Sequence, residues 1–136
     1  MSTKQLSKET IVKEIMQCGR QCHYFVNNYA KISEPMQGLI PFKTFKFQDE
    51  VLKDFQDYRF NIIKKARQLG MSTLTAAYVA WLILFHREKV VLVIATKQST
   101  AVNFLKKVKT IISNLPPWLL LSKIKVDNRT SLELVN

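Results

Sequence analysis

The sequence predicts an α/β fold built on a mostly parallel sheet. Three segments support this prediction: a short strand-like run at 60–63, an apolar segment at 72–85, and an uninterrupted, largely β-branched run at 90–95. A segment that is apolar nearly all round indicates a buried helix, and a strand without polar alternation is typical of a parallel sheet covered on both faces. The alternation of strand, loop, helix and strand is that of a βαβ unit.

The remaining elements follow from turn residues and hydrophobic spacing. A helix is expected to begin after Ser7 and end near Gly19, and helical spacing then continues as far as the break at 33–35. The later elements are a helix from Asp49 to about Tyr58, a helix over 97–113, and short strands at 123–126 and 131–135 joined by a turn at Asp127–Asn128. We therefore expect a helical segment at 1–36, followed by a partial α/β domain at 37–136.

The positive charge is concentrated in one part of the chain. The formal net charge is +11, and residues 59–109 contain ten Lys or Arg side chains against one acid, Glu88, a balance of +9. Such a field favours partners that carry phosphate, either a nucleotide or a nucleic-acid backbone. The alternative is an ordinary solvated surface.

Cysteine use and hydropathy indicate a reduced, intracellular protein without a membrane segment. Cys18 and Cys22 are four residues apart, a spacing that is awkward for a disulfide within one helix, and two histidines leave few further ligands for a metal. The longest apolar run, 74–85, is shorter than the roughly 18 residues that a membrane helix needs. The polar start of the chain is unlike a signal peptide.

A loop at 64–73 lies between a predicted strand and a predicted helix, which is where a phosphate-binding loop belongs. Its sequence is KKARQLGMST, and the usual pattern is GxxxxGK followed by Ser or Thr. Gly70 and the hydroxyl of Ser72 fit this pattern, and Thr73 offers a second hydroxyl. Met71 stands at the lysine position, so the phosphates need a cation from elsewhere.

Basic side chains before Gly70 are the candidates for the missing cation. Lys64, Lys65 and Arg67 all lie at the entrance of the loop. We expect Arg67 to face the γ-phosphate, since a guanidinium binds phosphate oxygens bidentately, and Lys65 to act as a general counter-charge. Ser72 is the candidate ligand for Mg²⁺. The alternative is a basic strand-to-helix turn in which Gly70 only relieves backbone strain.

Residues 66–70, followed by the hydroxyl pair at 72–73, resemble the phosphate loop of the large terminase subunits of tailed bacteriophages. The aromatic segment that ends in Gln48 is similar to the segment that precedes the loop and recognises adenine in that family. Residues 90–119 resemble its second core strand, the following helix and the break after it. The resemblance covers the chain from about Tyr24 onward.

This resemblance implies a P-loop NTPase fold of the ASCE class, which terminases share with helicases, and a motor that uses ATP and Mg²⁺ to drive double-stranded viral DNA into a procapsid. Gln48 would contact adenine, Arg67 would lie near the γ-phosphate, and Ser72 would hold Mg²⁺. The residues that wrap the phosphates would be Lys65, Ala66, Arg67, Gln68, Leu69, Gly70, Met71, Ser72 and Thr73. The implied partners are DNA, the portal protein, the small terminase subunit and the C-terminal remainder of the terminase, in the host cytoplasm.

The acids of the sequence depart from that family. Terminases carry an acidic pair at the end of a core strand, whereas the acids after the loop here, Glu88, Asp127 and Glu133, do not end such a strand. We therefore expect an N-terminal, truncated part of a terminase that does not hydrolyse ATP alone. Two other interpretations stay open: a superfamily 2 helicase-like ATPase fragment, and a nucleic-acid-binding module that uses the basic stretch without ATP. Lys106, Lys107 and Lys109 are candidate contacts to a DNA backbone, and the alternative is a solvated helix face.

Overall fold

The computed structural model describes residues 6–66 and 70–135. Within them, helices and two β-hairpins follow one another along the chain. Their bounds are α1 Lys8–Arg20, α2 Cys22–Tyr29, β1 Lys31–Glu34, β2 Gly38–Pro41, α3 Lys46–Asp57, α4 Met71–Phe85, α5 Gln98–Ser113, β3 Ile124–Asp127 and β4 Leu132–Leu134. None of these helices combines the length and the apolar character that crossing a membrane requires.

The start of the first helix follows directly from the sequence. Ser7 is the N-cap of α1, and its Oγ accepts the backbone N–H of Thr10 at 3.2 Å. A hydroxyl in this position satisfies one of the N–H groups that the first turn of a helix leaves unpaired. The prediction of a helix from Ser7 to near Gly19 is confirmed.

The second predicted helical stretch ends earlier than expected. Helix α2 stops at Tyr29, and residues 31–34 form β1 instead, so the prediction of helical structure as far as 33–35 is wrong. Glu34 explains the difference, because its carboxylate accepts the backbone N–H groups of Met36 and Gln37 at 2.9 and 2.6 Å and stabilises the turn into β2. Ile32 fits a helical and an alternating pattern equally well, which makes the spacing alone ambiguous.

The helices around the candidate loop form close to the predicted positions. Helix α3 occupies Lys46–Asp57, where a helix over 49–58 is predicted, and α4 and α5 match the predicted helices within one residue at each end. Helices α4 and α5 pack against each other, and α4 also contacts α2 and α3. The loop that enters α4 is therefore attached to the best-packed part of the molecule.

Helix α4 is the centre of the hydrophobic core. The indole Nε1 of Trp81 donates a hydrogen bond to the backbone oxygen of Cys18 at 2.7 Å, and the ring of Phe85 packs edge-on against Phe25 with 5.5 Å between centroids. Both contacts join α4 to the N-terminal helices. The largest fully buried side chains are Phe25, Leu52, Leu74, Ile111, Ile112, Leu119, Val26, Val108, Cys18 and Cys22.

The two cysteines are free thiols inside this core. Burial, with a smaller contribution from the charge of Glu14, raises the pKa of Cys18 to about 12. Burial also raises the pKa of Cys22 well above the ordinary thiol range. Since a thiol reacts through its ionised form, we expect both thiols to be unreactive and to serve in packing.

The predicted parallel sheet does not form among residues 6–66 and 70–135. Strand pairing there is antiparallel, in the hairpins β1–β2 and β3–β4. The segments 60–63 and 90–95, predicted as core strands, are assigned to neither helix nor strand, and Ile62 and Val90 are 99% and 96% exposed. A strand forms only when a neighbour pairs with its N–H and C=O groups, and no described segment pairs with these two. The parallel sheet therefore stays a prediction.

The last two predicted strands are present as a hairpin. Strands β3 and β4 pair in antiparallel register, with Asp127 opposite Leu132. Asn128 stabilises the turn, because its side-chain Oδ1 accepts the backbone N–H groups of Thr130 and Ser131 at 3.0 and 2.9 Å. The turn predicted at Asp127–Asn128 is confirmed.

Candidate functional site

The candidate site is the turn that leads into α4. Gly70 is the N-cap of this helix and adopts a left-handed conformation, with φ 69° and ψ 18°. Its carbonyl oxygen accepts the backbone N–H of Leu74 at 2.9 Å, which is the first bond of the helix. Glycine adopts this conformation without the steric cost that a Cβ brings. Arg67, Gln68 and Leu69, three of the predicted site residues, lie outside the described residues.

The first turn of α4 is electropositive and faces no side chain of opposite charge on its own helix. It has neither a side-chain N-cap hydrogen bond nor an acidic residue. The first N–H groups of a helix have no acceptor within the helix, and they carry the positive end of the helix dipole. Ser72 is exposed in this turn, and Thr73 is half-buried. Such a turn can bind an anion, with the Ser72 hydroxyl available to a metal ion that accompanies it.

Met71 occupies the position that lysine holds in the usual pattern, and its side chain carries no positive charge. Its side chain is only 5% exposed and belongs to the hydrophobic core. The thioether therefore packs inward and offers no positive charge to a phosphate. A phosphate bound at this turn would need its cation from another residue.

Gln48 lies directly against this turn. It belongs to the first turn of α3, is 2% exposed, and its Oε1 accepts the backbone N–H of Phe45 at 3.0 Å. A Cβ built on Gly70 would lie 3.0 Å from Gln48 Nε2. The structure thus brings together two residues that are far apart in the sequence and that the terminase resemblance places in one nucleotide site.

Two aromatic rings lie next to Gln48 on the protein surface. Phe45 and Phe47 are both exposed, and their rings are stacked with 5.8 Å between centroids and an interplanar angle of 8°. An exposed pair of parallel rings is a surface on which a planar base can stack. Phe45 and Phe47 are therefore accessible to a ligand, whereas Phe42, the third aromatic residue of this segment, is buried in the core.

Basic side chains lie on two sides of the turn: Lys64 and Lys65 at the start of the loop, and Lys107 on α5. Lys64, Lys65 and Ala66 are exposed, and Lys65 Nζ donates a hydrogen bond to the carbonyl oxygen of Ala66 at 3.3 Å. From the other side, Lys107 Nζ lies 3.4 Å from Thr73 Oγ1. The sequence contains no signal for this second contact, because Lys107 is in a different helix and its spacing to the loop fits no motif.

Two of the three acids after the loop, Asp127 and Glu133, form ion pairs with lysines. Asp127 forms an ion pair with Lys109 at 2.6 Å, and Glu133 forms a longer one with Lys125 at 3.8 Å. Within 6–66 and 70–135, no group of three or more His, Cys, Asp or Glu side chains has the arrangement of a metal site. In the described part of the loop, the hydroxyl oxygens of Ser72 and Thr73 are the side-chain oxygens that a metal ion could contact.

A comparison of the sequence with models of known protein families finds no match. The interpretation of the site therefore depends on its own geometry and on the loop residues that resemble the terminase pattern. The geometry brings Gln48, Gly70, Ser72 and Thr73 into one region, with Lys107 at its edge.

Proposed function

We propose that this chain carries the nucleotide-binding part of a DNA-packaging motor of the large terminase type, with the triphosphate of ATP held at the turn around Gly70. The observation that supports the proposal most is the contact between Gln48 and Gly70. The terminase resemblance assigns adenine to the first residue and phosphates to the second, and the contact supports this assignment because it places both residues in one region of the structure.

The phosphates would be bound by the backbone and by positive side chains. The first N–H groups of α4 donate to phosphate oxygens, as they do at other helix N-termini that bind anions. Lys65 and Arg67 supply positive charge from the loop side. Ser72 contributes its hydroxyl to Mg²⁺, which, when bound, neutralises charge on the β- and γ-phosphates.

The base would be bound at the start of α3. The exposed rings of Phe45 and Phe47 offer a stacking surface for a planar base. Gln48, which the terminase resemblance assigns to adenine, lies beside them, with its Oε1 accepting the Phe45 N–H. A stacking surface favours a nucleotide over a free phosphate ion.

Nucleotide binding, and not turnover, is the activity that we propose for these residues. Hydrolysis needs a carboxylate that activates water. Of the three acids after the loop, Asp127 and Glu133 pair with lysines, and Glu88 lies in the turn after α4, at the opposite end of that helix from Gly70. In the motor, hydrolysis would drive double-stranded DNA through the portal protein into a procapsid, together with the small terminase subunit and the remainder of the large one, in the host cytoplasm.

A titration of a fluorescent ATP analogue with Mg²⁺ tests the proposal. The wild type is compared with Ser72→Ala and with the matched control Ser99→Ala, since both serines are exposed and each is the second residue of its helix. We expect Ser72→Ala to lower the Mg²⁺-dependent affinity by roughly tenfold or more, and Ser99→Ala to leave it unchanged. The proposal is wrong if the wild type shows no binding up to about 1 mM, or if the two variants behave alike.

Arg67 is tested in the same assay. If its guanidinium faces the γ-phosphate, Arg67→Ala should weaken ATP binding by roughly tenfold to a hundredfold and ADP binding much less. Equal ATP affinities for the wild type and this variant would remove Arg67 from that role.

A further inference from the structure

Asn27 of α2 connects that helix to the loop that precedes α3. Its side-chain Oδ1 accepts the backbone N–H of Thr44 at 3.0 Å, and its Nδ2 donates to Thr44 Oγ1 at 2.9 Å. Its backbone oxygen also accepts a hydrogen bond from Lys43 Nζ at 2.7 Å. Asn27 and Thr44 are both half-buried, so the bonds between them are partly shielded from water. One side chain thus fixes both the backbone and the side chain of Thr44.

The hydrogen bonds continue from Thr44 to α3. The hydroxyl of Thr44 donates its proton to Asp49 Oδ1, and His23 Nε2 of α2 lies 3.1 Å from the same oxygen. Asp49 belongs to the first turn of α3. Since the Thr44 hydroxyl accepts from Asn27 and donates to Asp49, it is used both as acceptor and as donor. These bonds form a polar network that joins α2 to the start of α3.

Phe45 lies between Thr44 and this first turn, and it belongs to the base-binding part of the proposed site. It is the N-cap of α3, and its backbone N–H donates to Gln48 Oε1 at 3.0 Å. Its ring is exposed and stacked parallel to that of Phe47. The position of an exposed ring depends mainly on the backbone that carries it. The network that fixes Thr44 therefore fixes the adjacent backbone of Phe45 as well.

We infer that Asn27 is a positioning residue for the nucleotide base, because through Thr44 it holds the segment that presents Phe45 and Gln48. This inference rests on the proposed function, since it adds a residue to the base end of the same site. A surface held in its binding geometry loses less freedom when a ligand binds, which strengthens binding. The network joins α2 to α3, so its effect falls on the base and not on the phosphates at α4.

The test separates the base from the phosphates with two ligands. A fluorescent ATP analogue with Mg²⁺ is titrated directly, and inorganic tripolyphosphate, which carries no base, is measured by displacement of the analogue. Asn27→Ala should weaken binding of the analogue by roughly three- to tenfold and leave the affinity for tripolyphosphate unchanged.

Asn28→Ala is the matched control. Asn27 and Asn28 each donate Nδ2 to the carbonyl oxygen four residues earlier in α2, at 3.0 and 2.8 Å, whereas the bonds to Thr44 come from Asn27. Asn28→Ala should change the affinity for neither ligand.

Thr44→Val provides a second variant, which decides the matter if Asn27→Ala does not fold. Valine has nearly the volume of threonine but lacks the hydroxyl that joins Asn27 to Asp49. It should give the same selective loss of analogue binding. The Asn27→Ala, Thr44→Val double variant should lose less than the product of the two single effects, because both substitutions act on one contact.

The outcomes separate this inference from the proposed function. If the wild type binds the analogue and Asn27→Ala binds it as tightly, the role of Asn27 is wrong while the site stands. Equal losses for the two ligands, or equal losses for Asn27→Ala and Asn28→Ala, would indicate a general structural effect and would also overturn it. A wild type that binds tripolyphosphate as tightly as the analogue would remove the base from the site. If the wild type binds neither ligand, both the proposed function and the inference are wrong.

Discussion

Substitution of Gly70 by alanine tests the geometry of the site through stability. An alanine at position 70 would have to adopt the left-handed backbone conformation, which lowers the free energy of unfolding by about 1–2 kcal/mol. Part of this loss is offset because alanine reduces the conformational freedom of the unfolded chain. The new Cβ would also lie 3.0 Å from Gln48 Nε2, so the buried Gln48 side chain has to move. Weakening its hydrogen bond to the Phe45 N–H adds about 1 kcal/mol. We expect a total loss of about 2 kcal/mol.

Gly38→Ala provides the matched control for this experiment. Gly38 has a similar φ of 75°, but a Cβ there would meet nothing within 4 Å. Gly38→Ala should therefore lower the free energy of unfolding only through the backbone conformation, by about 1 kcal/mol. Urea unfolding measures both variants, and each is repeated in a Gln48→Ala background. In the Gln48→Ala background, Gly70→Ala should lower the free energy of unfolding by about 1 kcal/mol less than it does in the wild type. Gly38→Ala should have the same effect in both backgrounds. Equal costs of Gly70→Ala in both backgrounds would refute the contact between Gln48 and Gly70.

Three further predictions concern the core and are measured by urea unfolding. Leu74→Ala, at a fully buried position in the first turn of α4, should cost about 2–5 kcal/mol, whereas Leu92→Ala, at an exposed position, should cost less than about 0.5 kcal/mol; a large cost at Leu92 would show that segment 90–95 is packed. Trp81→Phe should cost about 1–3 kcal/mol because the buried backbone oxygen of Cys18 loses its donor, and an unchanged stability would refute this. Stability should fall as the pH rises above 9, since the pKa values of Cys18 and Cys22 are raised in the folded state and the unfolded thiols ionise first; the Cys18→Ala, Cys22→Ala double variant should show a weaker fall.

Local signals in the sequence were sufficient for the helices near the site. The apolar segment at 72–85 and the amphipathic pattern at 97–113 predicted α4 and α5 closely, and Gly70 marked the start of α4. Helices satisfy their own backbone hydrogen bonds, so periodicity within one segment is enough to place them.

Strands were predicted less well because they depend on a partner. The apolar run at 90–95 predicted a buried parallel strand, yet no described segment pairs with it. In contrast, residues 31–34 form a strand although their hydrophobic spacing predicts a helix. They do so because a hairpin turn stabilised by Glu34 places β2 next to them. Pairing between distant residues leaves little trace in a single sequence.

The site was predictable in part. The pattern around the loop identified Gly70 and Ser72, and the resemblance added Gln48, but neither indicated that Gln48 contacts Gly70. For Lys107 the sequence predicts only a candidate contact to a DNA backbone. Its approach to Thr73 depends on how α4 and α5 pack, and packing between helices is not encoded in the spacing of one segment.

The most direct test of the central claim is a two-dimensional ¹H–¹⁵N NMR titration of the protein with ATP and Mg²⁺. The account predicts saturable shifts of the backbone amide signals of Gly70, Met71, Ser72 and Thr73, with the signals of the β3–β4 hairpin unchanged. Unchanged amide signals at 70–73 up to about 1 mM nucleotide, or shifts confined to another part of the protein, would contradict it.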